Sequence, residues 1–187
     1  MRVLIFNSLY YPNIVGGAER SVQILAEGLV RRNITSVVVS TSDKEYVDYV
    51  NGVKVYYIKT PNLYWMKETK EQPKWKKPFW HLIDAYNVLT KRKIKKILKA
   101  EKPDIIHTNN LAGFSVIVWK IAKELNLPVM HTIRDYYLLC PSSTMFKNGK
   151  NCEEQCGLCK LYSFTKKLFS NRYVDGVISK RRVFCLF

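Results

Sequence analysis

Several groups of residues have the types and spacing to do chemistry. Tyr10-Tyr11-Pro12-Asn13-Ile14-Val15-Gly16-Gly17-Ala18-Glu19-Arg20 leads from a short apolar run straight into a stretch of helical period. Paired Gly16 and Gly17 allow positive φ and close approach of backbone to a ligand, and free amides at a helix start favour a phosphate or polar group. The plain alternative is a helix start with Glu19 complementing the dipole. Gly-x-Gly-x-x-Gly is absent, which argues against a dinucleotide in this turn. Further on, Asp104-Ile105-Ile106-His107-Thr108-Asn109-Asn110 places an imidazole and two amides after an apolar run, and His131-Thr132-Ile133-Arg134-Asp135 places a guanidinium and a carboxylate after another. His107 is a candidate catalytic imidazole or a satisfied structural histidine. Arg134 and Asp135 could bind an anion and a hydroxyl, or pair with each other.

Cys140, Cys152, Cys156 and Cys159 are separated by 11, 3 and 2 residues within a stretch, 133–160, that shows no clear periodicity. That spacing is close to a zinc-ligand pattern, and a tetrahedral thiolate site would order a loop lacking its own core. The alternative is four unligated thiols. Between 64 and 102, Trp65, Trp75, Phe79 and Trp80 interleave with Lys67, Lys70, Lys74, Lys76 and Lys77. On the next helix Arg92, Lys95, Lys96 and Lys99 share one face, with Ile94, Ile97 and Leu98 on the other. Aromatics beside a cationic face suit an anionic membrane surface. Nucleic-acid binding by the same charges is the weaker reading, because no nucleic-acid motif accompanies them.

The elements that must position these residues alternate between strand-length apolar runs and helical periods, the signature of a parallel sheet covered by helices. Strands are expected at Val3 to Phe6, Thr35 to Thr41, Val53 to Thr60, Asp104 to His107, Pro128 to Thr132 and Val174 to Ser179. Helices are expected over Ala18 to Arg32 and along the stripe Phe114, Ile117, Val118, Ile121, Ala122 and Leu125. Right-handed crossovers would set the first and fourth strands side by side, and ligands bind beyond the carboxyl ends of strands at such a switch point. The candidates at Gly16, His107 and Arg134 all follow strands that meet there.

The 187 residues, 47% hydrophobic and 25% charged, suit one soluble globular domain and exclude disordered or fibrous classes. The net charge of +16 points to a polyanion nearby. It is uneven: residues 64–102 carry 12 basic against 4 acidic groups, and 160–187 carry 7 against 1. The opening apolar run is too short for a signal-peptide core, and no apolar run reaches spanning length. The chain is therefore read as cytoplasmic, its cysteines in a reducing compartment.

Taken together, Tyr11-Pro12 ahead of Gly16-Gly17-Ala18-Glu19, Pro103-Asp104-Ile105-Ile106-His107, and Pro128-Val129-Met130-His131-Thr132 running into Asp135-Tyr136-Tyr137-Leu138-Leu139-Cys140-Pro141 resemble the N-terminal half of a family 4 glycosyltransferase of the GT-B fold. The resemblance covers nearly the whole chain up to about Ile178. It implies a retaining sugar transferase of two Rossmann-like halves, this half presenting the acceptor. No divalent metal is expected for transfer, and no Asp-x-Asp occurs here. By similarity, Gly16 and Gly17 approach the donor phosphate and sugar, His107 and Asp135 line the acceptor side as the catalytic candidates, and Glu19, Asn109 and Arg134 bind substrate. Many relatives carry histidines where this chain has Asn109 and Arg134. Asn109 can hydrogen-bond a sugar hydroxyl but cannot titrate.

The expectation is an α/β domain over 1–179, a Rossmann-like parallel sheet with helices on both faces. A basic and aromatic tail, 180–187, is read as a truncation or frameshift, or else as the end of a natural short protein. The expected function is the acceptor-binding half of an enzyme that moves a sugar from a nucleotide-sugar donor to a glycan or lipid-linked acceptor, peripheral on the inner face of the membrane and inactive alone. Two alternatives are a non-catalytic module needing a separate donor-binding chain, and a zinc-stabilised nucleic-acid-binding protein.

Overall fold

A computed structural model describes residues 1–179; the tail at 180–187 lies outside the described residues. Nine strands and five α-helices form, in chain order, β1 (Arg2–Phe6), α1 (Gly17–Val30), β2 (Thr35–Thr41), β3 (Tyr46–Val50), β4 (Val53–Ile58), α2 (Lys76–Ala85), α3 (Lys91–Glu101), β5 (Ile105–Thr108), α4 (Ile117–Glu124), β6 (Val129–Ile133), β7 (Phe146–Lys147), β8 (Lys150–Asn151), α5 (Gly157–Tyr173) and β9 (Gly176–Ser179). Seven strands make one sheet in the order β3-β4-β2-β1-β5-β6-β9, and β7 and β8 make a separate short hairpin. Every pair in the large sheet is parallel except β3 with β4.

β1 is central because it is apolar on both faces. Leu4 and Phe6 point into a core shared with α2, α3 and α4, while Val3 and Ile5 point into a second core under α1. Each such side chain, withdrawn fully from water, contributes about 1.5–3 kcal/mol. The expected doubly covered parallel sheet is thus present, and β1 lies directly beside β5, with Ile5 level with His107.

Three local features depart from expectation. β3, an unexpected strand, turns back antiparallel on β4 through Asn51 (φ 50°) and Gly52 (φ 82°), a left-handed pair suited to a two-residue hairpin. Its Tyr46 ring stacks on Tyr57 at 4.3 Å. Phe114 is not in the helix it was expected to join. Gly113 (φ 89°) and Ser115 (φ 70°) are left-handed, which an α-helix does not admit, so α4 starts at Ile117. The Phe114 ring instead meets Phe6 edge-on at 5.4 Å. A Cβ on Gly113 would come within 3.1 Å of Thr41, so this turn needs glycine for space as well as for φ. The stretch 133–160, expected to be structureless, contains the β7–β8 hairpin and runs into the 17-residue α5.

α5 is inverted relative to an ordinary surface helix. It buries Ser163, Lys166 and Ser170 and exposes Leu158, Leu161, Phe164 and Leu168. Its apolar anchoring comes from Phe169 and Tyr173, which pack on the core near its carboxyl end. Along α2 it is held by polar bonds, Tyr162 Oη to the Pro78 carbonyl at 3.2 Å and Thr165 Oγ1 to the Ala85 carbonyl at 3.2 Å.

Candidate functional site

The carboxyl ends of β1, β5 and β6 hold a continuous polar cluster. From β5, Asn109 is buried and its Oδ1 accepts from Arg134 Nε at 2.7 Å. Arg134 follows β6 and also donates through Nη1 to Ser21 Oγ of α1 at 2.7 Å, so one guanidinium ties the ends of two strands to the first helix. Asn110 Nδ2 donates to the Asp135 carboxylate, and its Oδ1 accepts from Ser8 Oγ, just past β1, at 2.8 Å. Asp135 also accepts from the Tyr137 amide at 2.8 Å. Arg134 and Asp135 therefore find separate partners, and the simple pairing considered for them is not what forms.

Electrostatics at these groups follow from burial. His107 is held down to about 4, first by burial and then by the Arg134 charge, so its imidazole is neutral near pH 7. It exchanges a hydrogen bond with Thr132 Oγ1 at 2.8 Å. Burial raises the Asp135 carboxyl, against the opposing pull of the Tyr137 amide and Asn110, and burial lowers Arg134. Asn109 Nδ2 is a buried donor with no hydrogen-bond partner. An orphaned donor costs about 1–3 kcal/mol, which a ligand oxygen would recover.

The glycine turn behaves differently from its expected role. Gly16 sits at φ −151°, ordinary extended backbone, and Gly17 is not left-handed either, so neither needs glycine for φ. Both are exposed, and a Cβ on Gly17 would meet nothing within 4 Å, which leaves open space in front of the helix. Glu19 folds back to accept from the Gly16 amide at 2.8 Å, a capping role rather than a free ligand.

Behind the cluster lies an unforeseen second tier. Asp84 of α2 is fully buried and accepts from the Gly113 amide at 2.6 Å and from Tyr137 Oη at 2.9 Å. Lys166 of α5 is also buried; its Nζ donates to the Tyr137 carbonyl at 3.0 Å and lies 3.4 Å from the centre of the Tyr137 ring. Burial pushes the Asp84 carboxyl up and brings Lys166 down to about 8, each opposed by the other's charge. Nothing local in the sequence marks these residues, since the pairing exists only once α2 and α5 meet. Beside the cluster, past the ends of β2 and β4, a cleft of about 430 Å³ is lined by Ser42, Asp43, Thr60, Asn62, Trp65 and Gln72, among others.

The aromatic–lysine segment divides. Trp80 is buried and donates to the Tyr64 carbonyl at 2.9 Å, and Trp65 Nε1 donates to Thr41 Oγ1 at 3.0 Å. Only Trp75 and Phe79 of the four expected surface aromatics are well exposed. Among the described residues no group of three or more His, Cys, Asp or Glu stands ready to hold a metal ion. Cys156 and Cys159 have their sulfurs 3.3 Å apart, Cys140 approaches Cys159, and the Cys152 thiol takes no part in these contacts.

Similarity to known proteins agrees with this geometry. The family model described as Glycosyltransferase Family 4 matches residues 15–151. The chain is 42% identical over 172 residues to an uncharacterized 42.6 kDa protein in the cps region of Klebsiella pneumoniae, covering 90% of this chain and 46% of that one. It superposes on sucrose-phosphate synthase from Thermosynechococcus elongatus with a TM-score of 0.62 at 13% identity, over 94% of this chain and 41% of the other. It superposes on LpCGTa, solved in complex with UDP, with a TM-score of 0.52 at 13% identity, over 96% and 45%. These structures share the fold, and the chain spans less than half the length of each protein it matches here. With the family's pattern running through the glycine turn, β5, β6 and the loop beyond, this chain belongs to glycosyltransferase family 4.

Proposed function

We propose that this chain is the acceptor-binding half of a retaining glycosyltransferase, which moves a sugar from a nucleotide-sugar donor to a glycan or lipid-linked acceptor in polysaccharide assembly. The observation that carries the reading is the buried, unpartnered Asn109 donor beside the Arg134 guanidinium at the β1, β5 and β6 ends. In this role Arg134 holds an anionic oxygen and Asn109 Nδ2 a sugar hydroxyl. Asp135, steadied by Asn110 and the Tyr137 amide, accepts from the acceptor hydroxyl, and neutral His107 lines the same wall. Catalysis here consists of orienting the acceptor and stabilising charge as the donor bond breaks. The donor diphosphate is bound by a second half, supplied by further sequence or by a partner chain, and transfer needs no divalent metal. Alone, the chain binds acceptor and does not turn over.

Titration of the chain with a polyprenyl-diphosphate-linked sugar, followed by NMR, tests this. The expected result is saturable binding, weakened about tenfold or more by Arg134→Ala and by Asn109→Ala. Absence of binding, or binding indifferent to both substitutions, overturns it.

In the same reading the enzyme is peripheral on the cytoplasmic face of the membrane. Support comes from the exposed apolar side chains Trp75, just before α2, Phe79 and Leu82 on α2, and Leu161, Phe164 and Leu168 on α5, with Lys74, Lys160, Lys167 and Arg172 nearby in the sequence. Each such cation near an anionic surface is worth about 1 kcal/mol. Among the described residues no helix is long and apolar enough to cross a membrane. Salt-sensitive flotation with phosphatidylglycerol vesicles, and none with neutral ones, is the expected result.

A further inference from the structure

The cysteine cluster is left unused by sugar transfer, yet its layout is specific. Cys156 occupies the position that opens α5, is exposed, and has the amides of the first helical turn close by. Cys159, one turn further on, is half-buried, with its sulfur 3.3 Å from that of Cys156. Cys140, beneath them, is buried and bonded to Ser142 Oγ at 3.1 Å. One thiol is therefore open to solution and the other shielded behind it, close enough that small rotations of both side chains bring the sulfurs to bonding distance.

We propose that Cys156 and Cys159 form a thiol–disulfide exchange site that reacts with small disulfides. The Cys156 thiolate attacks one sulfur of the disulfide, forming a mixed disulfide and releasing one thiolate. That thiolate takes up the proton given up by Cys159. The Cys159 sulfur then attacks Cys156 Sγ, closing the Cys156–Cys159 bond and releasing the second sulfur as a thiolate, which takes up the proton that Cys156 gave up on ionising. Overall the protein dithiol loses two electrons and two protons, and the small disulfide becomes two thiols. The exposed sulfur is the attacking group because a small disulfide can reach it, and the shielded one resolves because only its neighbour can.

The pair is mechanically joined to the sugar site. Gln155, next to Cys156, donates from Nε2 to the Leu139 carbonyl at 2.6 Å and to Ser163 Oγ at 3.1 Å. Leu139 lies in the loop that follows Asp135, and Lys166, on the same helix as Cys159, holds the Tyr137 carbonyl in that loop.

The test equilibrates the whole chain with glutathione and its disulfide at stepped ratios, traps free thiols by alkylation and maps peptides by mass. The expected result is one intramolecular disulfide, between Cys156 and Cys159, that reverses with excess glutathione. It should be lost in Cys156→Ser and in Cys159→Ser and kept in Cys152→Ser. Mapping on the unaltered chain needs no variant to fold. A bond that instead joins Cys140 or Cys152, a Cys156–glutathione adduct that never resolves, or thiols protected by stoichiometric bound zinc would each overturn the proposal.

Discussion

α4 and α5 cover the same face of the sheet and touch each other, yet they are built on opposite plans. α4 buries Ile117, Val118, Trp119, Ile121 and Ala122, and its polar atoms are answered locally: Trp119 Nε1 donates to Thr108 Oγ1 at 3.0 Å, over a His131 ring 5.2 Å away. α5 buries a row of polar side chains and leaves Leu161 and Phe164 at 65% and 67% exposure. α4 is held by apolar burial, whereas α5 is held by hydrogen bonds, one buried cation and the Phe169 and Tyr173 rings near its carboxyl end, with the row Leu161, Phe164 and Leu168 exposed. A helix that spends its polar residues inward serves the site it backs, and here that is the loop from Asp135 to Cys140.

The contrast can be broken most directly in the core. Trp119→Ala should destabilise the chain by about 3–5 kcal/mol in urea unfolding, since a fully buried indole leaves a cavity that its packed neighbours cannot close. A loss under about 1 kcal/mol would mean that α4 is not the anchor.

Next in size is acidification. Burial holds His81 and His107 down to about 4 and His131 to about 3, so the native chain keeps them neutral while the unfolded chain takes up protons near its ordinary value of about 6.5. Stability is therefore intact above about pH 6.5 and drains as pH falls towards 4, by about 3 kcal/mol in all after allowance for partial solvation. His131→Gln should flatten part of that slope on the α4 side and His81→Gln part on the α5 side. Chemical denaturation at stepped pH measures both, and a flat profile would contradict the burial of these rings.

Lys166→Met sharpens the α5 side. It leaves the Asp84 carboxylate without its cation and the Tyr137 carbonyl without its donor, for a loss of about 2–3 kcal/mol. In the unaltered protein Lys166 sits at about 8, below an unfolded lysine, so the unfolded chain holds more protons between about pH 8 and 10. The Lys166 contribution therefore makes stability rise with pH across that window, and the rise should vanish in Lys166→Met.

The smallest effect on stability is expected on the outer row. Phe164→Ser should change it by no more than about 0.5 kcal/mol. Vesicle binding should nonetheless fall about tenfold, since the loss of one inserted aromatic removes about 1.5 kcal/mol or more of burial. A large stability loss instead would show that the row is covered within the domain.

The sequence by itself determined the elements whose signals are local. β1 read as a short apolar run and β2 and β4 as β-branched, tyrosine-rich stretches, and α1 and most of α4 followed from apolar spacing. Asn51-Gly52 was a hairpin signal for β3 that alternation alone did not carry, because four of its five residues are exposed. That His107, Asn109, Arg134 and Asp135 gather at one end of the sheet was legible because strand order implies where a parallel sheet reverses. Tertiary structure alone decided the rest. α5 shows no ordinary stripe, since burial of Lys166 is tolerable only where Asp84 and the Tyr137 carbonyl wait for it. Trp80, on the core side of α2, is buried, while Trp75, chemically alike and five residues earlier at the start of that helix, is exposed. Glu19 is taken by the Gly16 amide, and Cys140, Cys156 and Cys159 are brought together from the loop and the start of α5. Each of these outcomes depends on a partner distant in the chain or on the exact turn of the backbone, which residue type and spacing do not encode.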